Sequence, residues 1–422
     1  MRNQELRRPK KFENRTFWLW IVGLILLAVG IRIAVALPHG GFMSDQQLFV
    51  DWMEQVRKHG LLAVYIEGKE INYPPVFLLI MNSYRVLVGL FGIVPVAGEL
   101  SFKGVLIAID LIVLLCAIPL TRASKQKGTR LFVLGLLALN PALIFGSASW
   151  GQVDMLHSML MASTLLLLPT MPVFAGVLFA VALLSKFQAI TLLAILGMYF
   201  LRLVIQKRTV EALLRFGAGF FGVLGITVIL FAQAGGLYAM VKGAYLSAVG
   251  MYPQVTMNAM NIWYYFIGVS PSTLDTTHVL GFLTLRSFGF LLLGIVVAFA
   301  AVYLWRSRLG VETLLKSAAL VNFSFFMLPT EIHERYSVPA LMLSIFVGLY
   351  DRRWWLPTVL LSVSVTVNLW MVQTGNIGVY SGLVVVYINV ALLLWMIVTL
   401  FFEIKKGILT RSVPISIKEK VL

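Results

Sequence analysis

The chain has 422 residues, of which 59% are hydrophobic and only 12% charged, and its mean hydropathy is +0.90. A soluble domain carries roughly 25% charged and about 45–50% apolar residues, so a soluble enzyme or binding module is excluded. Apolar runs near the ~20 residues needed to cross a bilayer recur from Phe17 to Phe402. They are continuous rather than alternating, which excludes a membrane β-barrel. The net charge of +16 reads as Lys and Arg marking cytoplasmic loops, with no nucleic-acid partner. The single cysteine, Cys116, lies inside an apolar run and forms no disulfide framework.

In chain order, a basic stretch (1–16) precedes an apolar segment (17–37) too long for a typical signal peptide, which therefore reads as a retained first span. Further spans are expected at 102–121, 131–147, 155–170, 173–185, 189–204, 214–233, 281–304, 311–328, 336–350, 354–371 and 381–402. That makes about twelve, in a single integral membrane domain over 1–422. Cytoplasmic tails lie at 1–16 and 403–422, and large outer loops at 38–101 and 234–280. Residues 173–204 read either as two spans or as one long helix broken at Lys186, since broken helices are tolerated where they line a cavity.

Segment 74–94 is apolar enough to span, but Asn82, Ser83, Tyr84 and Arg85 interrupt it. If it does not span, the inner side holds six Lys/Arg before Phe17, four in 122–130, four in 202–215 and three in 306–316. With Arg352, Arg353 and five beyond Phe402, that is 24 of the 34. If it spans, every later loop flips and 18 of those 24 land outside. The positive-inside bias places 74–94 in the first outer loop.

Under this topology Asp45, Tyr73, Trp150, Gln152, Asp154, Lys186, Asn258, Asn261, His333, Glu334 and Arg335 all fall on the outer side. The inner loops are short and basic, with no comparable cluster, so a cavity open to the outer leaflet is expected. Ser44-Asp45-Gln46-Gln47 reads as a helix start, with Ser44 as N-cap and Gln47 completing a capping box. Leu48, Phe49, Trp52, Met53 and Val56 follow at helical spacing, and Gly60 suits the C-terminus of an amphipathic interfacial helix. Asp45 then sits in a first turn, where the dipole favours a carboxylate.

Trp150 and Gly151 read as an interface anchor and a tight turn, while Asp154 opens the next span. Lys186, the only charge between Pro172 and Leu201, either snorkels or meets an anion. Asn258, Asn261 and Trp263, read as one helical face, suit sugar binding and plain capping equally. In Thr330–Tyr336, His333 and Arg335 suit a phosphate. No histidine pair has metal-ligand spacing, so no metal and no cofactor are expected. Lys103 and Asp110 are assigned no role beyond structure, and Arg32 is read as snorkelling.

Asp45 with Trp52-Met53-Glu54 and Tyr73-Pro74-Pro75 resembles the first luminal loop of the dolichyl-phosphate-glucose-dependent glucosyltransferases of asparagine-linked glycosylation. Ile332-His333-Glu334-Arg335 resembles that family's late His-Glu-Lys motif, with Arg in place of Lys. The set WGQVD, LSKFQ, NAMNIW and HERY also resembles bacterial relatives of the GPI mannosyltransferases. The resemblance implies an all-α polytopic protein of the GT-C glycosyltransferase fold. It implies inverting transfer of a hexose, glucose or mannose, from a polyprenyl-phosphate carrier to a glycan or glycolipid acceptor on the outer or luminal face. Asp45 maps onto the catalytic base and His333 onto the donor-phosphate histidine. Arg335 and Lys186 are further phosphate candidates, and Tyr73, Gln152, Asp154, Asn258, Asn261, Trp263 and Glu334 are candidates for sugar or acceptor. Chain length and the absence of an outer-loop Asn-x-Ser/Thr sequon point to a bacterial cytoplasmic membrane rather than the endoplasmic reticulum. The competing class is a transporter or flippase of lipid-linked sugars, which predicts inverted repeats and mid-membrane polar groups.

Overall fold

The computed structural model describes residues 10–69, 71–248 and 250–410. The stretch before Lys10 and the end of the C-terminal tail, both expected to be cytoplasmic, lie outside the described residues. Seventeen α-helices are described: α1 (Lys10–Ala36), α2 (Met43–His59), α3 (Val64–Glu67), α4 (Pro75–Gly89), α5 (Leu100–Leu120), α6 (Lys127–Ala138), α7 (Pro141–Ile144), α8 (Asp154–Leu167) and α9 (Pro172–Ser185). They continue as α10 (Leu193–Lys207), α11 (Glu211–Gln233), α12 (Leu237–Ala244), α13 (Leu285–Arg306), α14 (Val311–Met327), α15 (Val338–Val347), α16 (Trp355–Thr374) and α17 (Val379–Thr410). Four short strands are β1 (Thr256–Met257), β2 (His278–Leu280), β3 (Leu283–Thr284) and β4 (Ile332–His333).

Among the described residues, eight helical stretches are long and apolar enough to cross a membrane, which makes this an all-α polytopic protein. All twelve expected spans fall on helix. The four without full spanning length are α8 and α9 with 14 residues each, α14 with 17 and α15 with 10. Three of these form the centre of the bundle: α8 packs on α15, α15 on α14, and every residue of α15 is buried. The long helices stand outside them and carry the exposed large apolar side chains, such as Leu26 on α1, Phe221 on α11 and Ile295 on α13. Such surface is costly in water and at ease against lipid.

The sequence left 173–204 open, and the structure resolves it. Phe216 of α11 lies 6.1 Å from Phe179 of α9 and 5.1 Å from Phe200 of α10. A straight broken helix would hold those two rings roughly 30 Å apart, so the chain reverses at Lys186, which is extended (φ −158°, ψ 134°). Segment 74–94 forms the 15-residue α4, which packs on α2 and α9. Arg85 donates from Nη2 to Glu54 Oε2 at 2.8 Å, so the polar break in the apolar run serves this packing.

Several expectations are corrected. The helix carrying Asp45 starts at Met43, after Phe42, with no side-chain cap; Ser44 is inside it, and Gln47 bonds Asp51 at 2.8 Å instead of closing a capping box. Gly60 does end that helix, at φ 77°. The expected span 281–304 is preceded by the β2–β3 hairpin and begins at Leu285. Arg32 does not snorkel: it is buried, with Nε 2.7 Å from Asp110 Oδ2 and Nη1 2.7 Å from Ala138 O. A buried charge without a partner is far costlier than a paired one, and Asp110 supplies the partner. Lys103 donates to the Ala36 and Pro38 carbonyls, at 3.1 and 2.9 Å, closing the end of α1.

Candidate active site

A helix rises about 1.5 Å per residue, so 14 residues reach about 21 Å and 10 about 15 Å, short of the ~30 Å hydrocarbon layer. Three of the short helices, α8, α9 and α15, have an end in one place. Asp154 opens α8, Lys186 follows α9, and Glu334–Arg335 lead into α15. The loops 38–101 and 234–280 close over these ends, contributing Tyr73 and Pro74 from one and Met251 and Tyr252 from the other. Between them is a cavity of about 350 Å³ whose polar wall includes Lys186, His333, Arg335 and the carboxylate Glu331 and whose apolar wall includes Ile190, Phe290 and Phe325.

Asp45 stands in the first turn of α2, at the edge of this group. Three donors converge on one of its oxygens, Oδ2: Trp150 Nε1 at 2.9 Å, Gln152 Nε2 at 2.5 Å and Arg335 Nη1 at 3.6 Å. Trp150 and Gln152 reach it because a six-residue π-helical turn (Phe145–Trp150) ends in Gly151, at φ 102°. Trp150 is 1% exposed, so it is no interface anchor; its indole is spent on Asp45. Gln152 also accepts from the Tyr73 hydroxyl at 3.4 Å.

Each cation of the site has an acid beside it. Lys186 Nζ donates to Asp154 Oδ1 and lies 5.3 Å from the Tyr336 ring centroid and 6.0 Å from that of Tyr73. Arg335 Nη1 donates to Glu334 Oε1 at 2.7 Å, while among the described residues its buried Nε has no hydrogen-bond partner. Burial works against the Arg335 charge, but Glu334 and Asp45 raise its pKa well above the ordinary value. Burial pushes Glu334 up, against the pull of Arg335. His333 is held by β4, which pairs in parallel with β1 (Met257 opposite His333), and its ring meets Tyr252 edge-on at 5.2 Å. Burial first, then the Arg335 and Lys186 charges, drive its pKa well below the usual histidine range. It is neutral near pH 7 and carries one ring N–H to donate.

The structure therefore brings together Asp45, Tyr73, Gln152, Asp154, Lys186, His333, Glu334 and Arg335. Of the other three candidates, Asn258 is joined to His333 by an isolated backbone bridge, while the side chains of Asn261 and Trp263 are turned to the end of α14. Residues 258–263 form no helix, so the expected common face does not exist. Asn258 is exposed at φ 61°. Asn261 is fully buried and donates to Phe326 O at 3.1 Å, and Trp263 is fully buried and donates to Leu328 O at 2.8 Å. These contacts tie the second loop to the end of α14.

Two features were given no role from the sequence, although Glu331 lies within the singled-out stretch Thr330–Tyr336. Tyr252 on the cavity wall lies in a stretch without periodicity. Glu331, at φ 61°, accepts from the backbone N–H groups of Gly250 and Tyr252 and pairs with Arg286 at 3.0 Å, which fixes the loop that presents Tyr252 to His333. Among the described residues no group of three or more His, Cys, Asp or Glu could hold a metal ion.

No protein-family model and no curated protein matches the sequence. Among solved structures the chain is similar to the crystal structure of ArnT from Cupriavidus metallidurans bound to undecaprenyl phosphate, at 14% identity and a TM-score of 0.47. The likeness covers 94% of this chain and 79% of that one. A likeness of this degree assigns neither a ligand nor a reaction to the chain.

Proposed function

We propose that the protein is a GT-C-type, inverting glycosyltransferase that moves a hexose, glucose or mannose, from a polyprenyl-phosphate carrier to a glycan or glycolipid acceptor. The observation that carries this reading is Asp45: a part-exposed carboxylate oriented by two neutral donors and 3.6 Å from Arg335, which lines the cavity with Lys186 and His333. The motif resemblance of the first loop and of His333-Glu334-Arg335 supports it.

Polyprenyl phosphate is a good leaving group, so the reaction asks for one base and for positive charge on the departing phosphate. The acceptor hydroxyl attacks the anomeric carbon from the face opposite the phosphate. Asp45 takes the hydroxyl proton as the new C–O bond forms, the bond between the anomeric carbon and the phosphate oxygen breaks, and that electron pair leaves on the phosphate. Arg335 and Lys186, in a site of low dielectric, stabilise the charge as it develops, and the His333 N–H adds a hydrogen bond. Glu334 and Asp154 hold the two cations in place. Tyr73, on the cavity wall, gives up its 3.4 Å bond to Gln152 to meet a sugar hydroxyl, and the apolar wall suits the first isoprene units. We assign the site to the outer face from the distribution of Lys and Arg over the loops, and the membrane to the bacterial cytoplasmic one from chain length and the absence of an outer-loop sequon.

The test is incubation of purified protein with short-chain polyprenyl-phosphate glucose, mannose and galactose in turn, with acceptor-containing membrane extract. Consumption of one donor by the wild type and not by Asp45→Asn is the expected result, and it names the sugar. Consumption of none of them would favour the transporter reading instead.

A further inference from the structure

Gln46 follows Asp45 on α2, is fully buried, and touches neither the cavity nor any ionisable group of the site. Its amide is nevertheless used at both ends. Nε2 donates to Trp150 O at 3.0 Å and to Gly40 O and Ser149 O at 3.2 Å each, while Oε1 accepts from Gly98 N at 2.8 Å. One side chain thus ties α2 to three separate segments: the 40–41 bend, the end of the first loop at 98, and the 149–151 turn. Two glycines clear the space for it. A Cβ on Gly151 would lie 2.6 Å from Gln46 Cγ, and one on Gly41 would collide with Ser149 O and Gln46 Nε2. Both have φ above 100°, where other residues are strained. Trp150 is therefore gripped twice: by its carbonyl through Gln46, and by its ring, which stacks on Phe42 with centroids 4.3 Å apart and planes at 17°.

We propose that Gln46 is the positioning residue of the catalytic carboxylate. By locking the 149–152 turn against the start of α2, it brings Trp150 Nε1 and Gln152 Nε2 to the same oxygen, Oδ2, and so turns Oδ1 of Asp45 towards the acceptor hydroxyl. The inference rests on the transferase reading and on Asp45 as its base. A misplacement of about 1 Å can cost as much as ~10²-fold in rate even when binding is intact. The clasp is thus expected to act on kcat and to leave the donor site alone.

The experiment compares wild type, Gln46→Met, Gln152→Met, the double variant and Asp45→Asn, reading kcat and donor dissociation constant on the full-length protein. Gln46→Met fills the same space without the hydrogen bonds. Its kcat is expected to fall about 10- to 100-fold, with donor affinity within about threefold of wild type. The double variant should be no worse than the poorer single one, because both act through the same carboxylate. Multiplying losses, or a loss of donor affinity in parallel with kcat, would mean a merely structural role and overturn the proposal. If Gln46→Met does not fold, Gln46→Asn, one methylene short with its amide kept, is read the same way. Full turnover in Asp45→Asn would overturn the base assignment itself; an inactive Asp45→Asn beside a wild-type kcat in the Gln46 variant would overturn only the positioning role.

Discussion

The two ends of the central helices both hold dense clusters of charge, and only one of them is built like a site. At the end opposite the cavity, fully buried Lys316 donates to Glu312 at 2.6 Å, Asp351 at 2.8 Å and Glu403 at 2.9 Å. Arg353 adds bonds to Asp351 and Glu403, and the Tyr303 hydroxyl donates to Glu403 at 2.7 Å. The ammonium has three donors and uses all three. This cluster corrects the expectation that the basic side has nothing comparable to the outer one. It ties α13, α14, the α15–α16 turn and α17 together, and every charge in it is answered within the fold.

At the cavity end the charges are also paired, but incompletely. Among the described residues Arg335 keeps a buried Nε without a hydrogen-bond partner, the His333 ring meets Tyr252 and Tyr336 with its Nδ1 3.9 Å from Glu334, and the Asp45 carboxylate is hydrogen-bonded at one oxygen only. The comparison teaches that density of ion pairs does not mark function. What marks this end is that Lys186, His333 and Arg335 line a cavity.

The contrast can be broken, starting with the largest effect. Lys316→Met leaves three carboxylates without their common partner and should cost about 3–5 kcal/mol of stability. Chemical or thermal unfolding in detergent would show this, while turnover per folded molecule stays at the wild-type value. The double variant Arg335→Met with Glu334→Gln, which leaves no buried carboxylate without its cation, should do the reverse: a loss of about 10²- to 10³-fold in kcat with a melting temperature near wild type. Equal losses of stability in the two variants would erase the distinction. Trp150→Phe keeps the stack on Phe42 and removes the indole N–H. One hydrogen bond to a charged group is worth about 1.5–3 kcal/mol, so a kcat loss of about 10-fold or more is expected, again without loss of donor binding.

The smallest effect is in pH. Because the His333 pKa is lowered in the folded state, the unfolded chain binds the proton more readily. The stability this contributes is complete above the unfolded value of about 6.5 and is lost as pH falls below it. The wild type should therefore lose more stability than His333→Gln between pH 7.5 and 5.5, by roughly 1 kcal/mol. An identical decline in both would show that His333 is not held neutral by its surroundings.

Much of this was legible in the sequence, and the boundary of legibility is physical. Helical spans follow from apolar run length, and the charge bias gathered Asp45, Asp154, Lys186, His333, Glu334 and Arg335 on one side. Partners were not legible, because they depend on how each helix is rotated about its axis. Trp150 and Asp45 are 105 residues apart, Arg32 and Asp110 78 apart. Trp150 looked like a membrane anchor because an aromatic next to a span usually is one, and only the π-helical turn swings its indole inward. Asn261 and Trp263 carried the right chemistry for a sugar, but their polar groups are consumed by the Phe326 and Leu328 carbonyls at the end of α14. Gln46 gave no signal at all, being one glutamine beside another.

The central claim is that Asp45 takes a proton in the transition state and does not hold the donor in the ground state. It is tested most directly by measuring donor turnover and donor affinity on the same preparations of wild type and Asp45→Asn. The account predicts a fall in turnover of about 10²- to 10⁴-fold with donor affinity and melting temperature unchanged. Retained turnover, or a variant that loses the donor along with the rate, would contradict it.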